Sequence, residues 1–451
     1  MSRSRPGDLR ANANAAGPPL SPLPAGPRAV PIGWRVGLAM ALVFYVCIAS
    51  VHAMRAPVGA TGYQDAPDEG AHVSYVRFVA TGRLPSQQAQ SLPGDEGRAY
   101  EWHQPPLYYV LAARLLPAGV RGMRLLSVVI GLCCILAIFG AVRVLFPDNP
   151  EAAALAAAIA ALIPGHAAIT SVVNNDGLLE LWFSVFLLLV FAALVRGLTL
   201  QRSAMIGLVI GAALLTKATA VLLLPAALLA LTILWRNGER PAAVARGGTA
   251  IVAGAAIVSG WWFARNAALY HEWLPLTLFS KSFVGTTQAV DVATGRAGLP
   301  VDSWRGYAAL VAEWTSKSFL AVYSTKTGAQ FGVPHFLAKQ VYVVALLAAV
   351  ASAAGLVRLG LRERATLSRP ALGGLAIASA VLLLVAASFA MFTLRYFQAQ
   401  GRYFYPAMLP IVLFAALGWQ SIVPKRYFAV ASGLLLVYLG TICIAFLIAA
   451  A

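Results

Sequence analysis

Apolar residues in this chain gather in long blocks rather than alternating with polar ones. The blocks fall at 34–53, 122–146, 151–172, 178–196, 203–216, 218–235, 246–264, 339–358, 371–394, 404–423 and 427–448. Crossing a hydrocarbon core of about 30 Å takes about 20 helical residues. The pattern therefore predicts an all-α polytopic membrane protein with about 11 transmembrane helices. Two long intervals break the rhythm, 54–120 and 265–338. In the first, Val73, Val76, Phe78 and Val79 are interleaved with polar residues, which predicts a short amphipathic helix ending near Gly82. Pro105 and Pro106 then forbid a continuous helix and let a second one start, with Trp102, Tyr108 and Tyr109 suited to the headgroup region. Both helices are expected to lie on the membrane surface.

Composition agrees with a bilayer setting: 59% of residues are hydrophobic and 11% charged, against about 25% charged in soluble domains. The net charge of +17 invites a nucleic-acid reading. The placement of the cations removes it. Arg143, Arg202, Arg236, the run from Arg358 to Arg369, Lys425 and Arg426 mark short loops on one side, as cytoplasmic loops do. Asp65, Asp68, Glu69, Glu101 and Asp176 fall with the two long loops on the other side, which is read as extracytoplasmic. Residues 1–33, rich in Arg, Pro, Ala and Gly, are expected to form a disordered cytoplasmic tail before a transmembrane domain over 34–451. "VHA" at 51–53 resembles a cleavage site, but the preceding run is long for a removable signal and is read as an uncleaved anchor. The four cysteines lie within apolar runs and show neither a disulfide framework nor a zinc motif.

Three carboxylates, Asp65, Asp68 and Glu69, stand within five residues of the first long loop. They serve either to stabilise a helix start, at about 0.3–1 kcal/mol each, or to supply a general base. His72 lies four residues after Asp68 and shares its helical face, as a ligand, a hydrogen-bond partner or a plain interfacial residue. His103 and Gln104 are held before the Pro-Pro corner, and Tyr109 follows it. Asp176 sits at the mouth of the third span, where it either caps a helix or works in a site. Lys217, between two apolar half-spans, faces an anion or a water-filled cavity, or snorkels. Arg265 and the pair Arg402 and Tyr403 lie at outward helix ends. Cations near the membrane beside a carboxylate-rich loop point to a membrane-borne phosphate.

"PDEGAH", "HQPPLYY", "NND", "LLTK", "WWFARN" and "QGRYFYP" occur in an order and spacing that resemble GT-C membrane glycosyltransferases. The likeness is to the bacterial branch related to protein O-mannosyltransferases and aminoarabinose transferases, including DUF2142-like members, and runs over about 34–423. No single motif is specific; the ordered set is. The resemblance implies a bacterial cell-membrane enzyme with a polyprenyl-phosphate sugar donor and an extracytoplasmic glycan, lipid or protein acceptor. By position it makes Asp68 the catalytic carboxylate, Glu69 its neighbour and Asp176 the second acid, with Arg402 and Lys217 near the lipid phosphate. Tyr403, Arg265, His103, Gln104, Tyr109 and His72 complete the expected binding residues. Aminoarabinose-transferase-like relatives carry an acid where His103 stands and a base where Gln104 stands. That departure weakens a metal role for this loop and transfer of aminoarabinose itself. No cofactor is required by this reading, and a divalent metal is left open. The rival classes are a flippase or transporter of lipid-linked sugar and a surface-polysaccharide polymerase or ligase. The chain shows no internal repeat of the kind many transporters carry.

Overall fold

A computed structural model describes residues 28–56, 68–95, 101–274, 277, 280, 285–322 and 335–449. Most of the tail expected over 1–33, together with Asp65 and Pro67, lies outside the described residues. Every regular element among them is helical: α1 Ile32–Arg55, α2 Glu69–Ala80, α3 Leu107–Ala113, α4 Gly119–Leu145, α5 Pro150–Ala161, α6 Pro164–Ile169, α7 Asp176–Arg196 and α8 Leu200–Leu214. There follow α9 Leu223–Arg236, α10 Pro241–Tyr270, α11 Ala289–Ala293, α12 Trp304–Leu320, α13 Lys339–Arg358, α14 Arg369–Thr393, α15 Met408–Ile422 and α16 Phe428–Ala449.

Among the described residues nine helical stretches are long and apolar enough to cross a membrane, from Ile32–Arg55 to Lys425–Ala449. They answer nine of the eleven expected spans. The third expected span is two helices, because Pro164 cannot continue the helix that ends at Ala161. The 12 residues of α5 reach about 18 Å at 1.5 Å per residue, short of a hydrocarbon core. The fifth is the 15-residue α8, which stops just before Lys217, an extended residue at φ −157° and ψ 143°. Every residue of α5 except Glu151 is buried, its alanines lying at the centre of the main core. The break between α5 and α6 is held by buried polar contacts: His166 Nδ1 lies 3.0 Å from the Ala160 carbonyl and Nε2 lies 3.0 Å from Glu180 Oε1.

The first long loop corrects one expectation. α2 does not lie on the membrane with one apolar face. Residues Glu69 to Val76 are all buried, packed with Tyr108, Tyr109, Met123, Ile130, Val173 and Leu178. The polar positions that looked like a solvent face are covered by other parts of the chain. The second long loop contains α11 and α12, whose Val292, Tyr307 and Val311 form a small core of their own with Ala399.

Backbones approach closely where α13 meets α15. A Cβ on Gly355 would lie 1.8 Å from the Gly418 carbonyl oxygen, and one on Gly418 would lie 2.0 Å from that of Ser352. Small residues at such crossings let membrane helices gain dispersion contacts that larger ones forfeit. Gly355→Leu should therefore lower the apparent Tm of the detergent-solubilised protein, at a cost of about 1–3 kcal/mol or more from overpacking. A melting curve followed by size-exclusion chromatography checks this; an unchanged Tm would show that the two helices are free to part.

Candidate active site

The site is assembled from four chain segments. Asp68 stands immediately before α2 at φ 60° and ψ 6°, the left-handed conformation that Asp and Asn tolerate better than other non-glycine residues. Asp176 opens α7. Its backbone N–H donates to Asn174 Oδ1 at 2.9 Å. Asn174 thus takes up the first N–H of α7, while the Asp176 carboxylate is turned to Lys217 and Arg402. Lys217 occupies the extended break after α8, and Arg402 lies in the 3-10 turn Gly401–Ala407 that leads into α15.

These four charges interlock. Arg402 Nη2 donates to Asp68 Oδ2 at 2.7 Å and Nη1 to Asp176 Oδ2 at 3.5 Å. Lys217 Nζ donates to Asp176 Oδ1 at 2.5 Å. Two carboxylates thus face two cations, and the guanidinium is the bridge between the two acids. Arg402 is 9% exposed, and its Nε is buried with no hydrogen-bond partner among the described residues. All four residues line one cavity of about 490 Å³. Its remaining lining is mixed: Leu222, Trp262, Phe263, Val385, Phe389 and Phe392 are apolar, and Glu101, His103, Gln104, His72 and Asn266 are polar. Tyr403 also lines it, with the Arg402 guanidinium 5.5 Å from its ring centre.

Three residues expected in the site lie elsewhere. Glu69 is wholly buried in an ion pair with Arg124, receiving hydrogen bonds from Nε at 2.7 Å and Nη2 at 2.5 Å. It also accepts from the Val173 N–H at 3.0 Å. Arg124 Nη1 donates in turn to the carbonyls of Ala53 and Ala56 at 2.9 and 2.8 Å. This cluster ties the start of α2 to α1, α4 and the approach to α7, so Glu69 fixes the place of Asp68 instead of sharing its face. Arg265 points away from the cavity, donating to the Pro85 carbonyl at 2.8 Å and stacking on Trp262. Tyr109 is buried behind the wall, where its hydroxyl lies 2.8 Å from His72 Nδ1 and its ring stacks on Tyr75 at 3.8 Å. Burial pushes His72 below the ordinary imidazole range and Tyr109 well above the ordinary phenol range. The pair is thus a neutral imidazole beside a neutral phenol.

Sequence reasoning noted Asn266 beside Arg265 and Glu101 among the outward acids without assigning either to the site, and it passed over Trp262 as a lining residue and Arg124 as the anchor. Trp262 and Asn266 are four apart on α10 and share a helical face, whereas Arg265 is turned off it. That spacing was the available signal. Asp68 and Asp176 are engaged by Arg402 and Lys217, and among the described residues no group of three or more His, Cys, Asp or Glu is placed to hold a metal ion.

A family model described as dolichyl-phosphate-mannose-protein mannosyltransferase matches residues 103–262. The match takes in His103, Gln104, Asp176 and Lys217 and stops short of Asp68 and Arg402. Among solved structures, an Archaeoglobus fulgidus oligosaccharyltransferase tethered with an acceptor peptide is 12% identical, with 92% of this chain covered, 55% of that one, and a TM-score of 0.53. ArnT from Cupriavidus metallidurans bound to undecaprenyl phosphate is 17% identical, with 90% and 64% covered and a TM-score of 0.52. The same protein in the apo state is 19% identical, with 88% and 61% covered and a TM-score of 0.51. No curated protein matches the chain in sequence. The chain spans between about half and two thirds of the length of these solved proteins. At such identities the likeness is one of fold, and the fold is that of the GT-C membrane glycosyltransferases.

Proposed function

We propose that the chain is a membrane glycosyltransferase that moves a sugar from a polyprenyl-phosphate donor to an acceptor hydroxyl on the extracytoplasmic face. The observation that carries this reading is Arg402, shared between Asp68 and Asp176 with its Nε uncommitted, in a cavity with a partly apolar lining. A guanidinium has five N–H donors in a fixed fork suited to phosphate oxygens. The apolar lining suits an isoprenoid tail, and the Arg402–Lys217 end suits its phosphate. Support for the donor class comes from the mannosyltransferase family model and from the undecaprenyl phosphate bound to ArnT. The outward placement follows from the distribution of basic loops.

The chemistry then runs as follows. Donor phosphate draws Arg402 onto itself and releases the Asp68 carboxylate. Asp68 accepts the acceptor hydroxyl proton while the hydroxyl oxygen attacks the anomeric carbon. The bond between that carbon and the phosphate oxygen breaks, and its electron pair leaves with the lipid phosphate, which passes from monoanion to dianion. Arg402 and Lys217 stabilise that added charge, an electrostatic effect that exists mainly in the transition state.

Purified protein should consume undecaprenyl-phosphate hexose in detergent and release undecaprenyl phosphate. Arg402→Ala should weaken binding of undecaprenyl phosphate by about 10-fold or more, as expected for loss of a charge-assisted contact. Tritium-labelled donor with thin-layer separation of the lipids reads the turnover, and a lipid-binding titration reads the affinity. Lipid movement across proteoliposomes without turnover would make the chain a flippase. Consumption only of diphosphate-linked oligosaccharide would make it a polymerase or ligase.

A further inference from the structure

Asn266 is 1% exposed, lines the cavity, and has neither amide atom hydrogen-bonded among the described residues. Glu101 lines the same cavity, and its Oε2 is likewise buried without a partner among them. Buried polar groups in folded proteins are almost always paired, and an unpaired one is destabilising. Neither group has a structural duty that would offset that cost. Among the described residues Asn266 does not cross-link its helix through its side chain, and Glu101 forms no ion pair, in contrast to Glu69 with Arg124 and Asp176 with Lys217. Their common feature is that they face the cavity.

We infer that Asn266 and Glu101 form a subsite for the hydroxyls of the donor's sugar ring and help to choose which sugar is accepted. This deepens the proposed transferase reading and rests on it. The donor set matches a polyol: an amide offers one acceptor and two donors, and a carboxylate accepts from adjacent hydroxyls. It does not match phosphate, which Glu101 would repel, or an isoprenoid tail, which would leave the polar atoms unsatisfied. Trp262, one turn before Asn266 and also lining the cavity, supplies an aromatic surface for the apolar face of a pyranose. The cavity is therefore divided by charge: phosphate binds at Arg402 and Lys217, and the sugar ring binds at Asn266 and Glu101.

Binding of two lipids tests the division: undecaprenyl phosphate, and undecaprenyl-phosphate hexoses carrying glucose, mannose or galactose. Asn266→Ala and Glu101→Gln should each weaken the best-bound hexose lipid by about 10-fold, the loss of one ligand hydrogen bond, and flatten the preference among the three. Affinity for undecaprenyl phosphate should stay unchanged. Equal losses for both lipids, or no loss for either, would overturn the subsite while leaving the transferase reading intact. A wild-type protein that binds neither lipid would remove the transferase reading and the subsite with it. Should Asn266→Ala not fold, Glu101→Gln, which keeps its side-chain shape, decides the matter.

Discussion

Asp68→Asn should lower the turnover of lipid-linked sugar by about 10²- to 10⁴-fold, the usual contribution of a positioned general base. The substitution changes charge with almost no change of shape. Asparagine also tolerates the left-handed backbone found at position 68, so the start of α2 is expected to stay in place. The decisive feature is where the loss appears. Arg402 donates to Asp68 in the resting site, and without that carboxylate the guanidinium is freer to meet phosphate. Donor affinity should therefore hold or rise while kcat falls. Single-turnover kinetics beside a binding titration separate the two quantities. Wild-type kcat would remove Asp68 from the base role. A loss confined to donor affinity would make it a positioner of Arg402, and Asp176 would become the acid to examine.

The parts of this site differ in how far the sequence disclosed them. Asp68, Asp176, Lys217 and Arg402 stood out as charges of a sparsely charged chain that fall within the ordered motifs of the resemblance, and the structure brings all four to one cavity. What failed was direction. Asp68 and Glu69 are neighbours in the chain, yet one faces the cavity and the other a buried arginine; the left-handed backbone of Asp68 itself turns them apart, and no pattern in the sequence announces it. Arg265 and Asn266 repeat the case on α10, where one residue step turns a side chain about 100° round the axis. The broken third span was readable from Pro164. The burial of α2 was not, since a polar face reads the same whether it meets water or the far side of the same protein. The membrane scaffold was the most legible part because the bilayer imposes a length and a hydropathy on every span independently of its neighbours.

The Glu69–Arg124 pair should prove the strongest stabilising contact around the site by single substitution, and a weak one by double substitution. Both side chains are fully buried. Arg124→Met leaves the Glu69 carboxylate in a low-dielectric interior and strands the carbonyls of Ala53 and Ala56. Glu69→Leu leaves the guanidinium without its carboxylate and the Val173 N–H without its acceptor. Removing one partner of such a pair costs about 3–5 kcal/mol, whereas replacing both with apolar residues is often close to neutral. The double variant should accordingly melt above either single variant, with a coupling of several kcal/mol in a double-mutant cycle read from detergent melting curves, because the two single losses far exceed the double one. Purely additive losses would show that each side chain acts alone. Function gives the pair a further reading. The double variant restores charge balance, but it no longer ties α2 to α1 and α4, so it should fold well and still turn over slowly. A stable protein with a displaced Asp68 separates the fold from the catalytic geometry built on it.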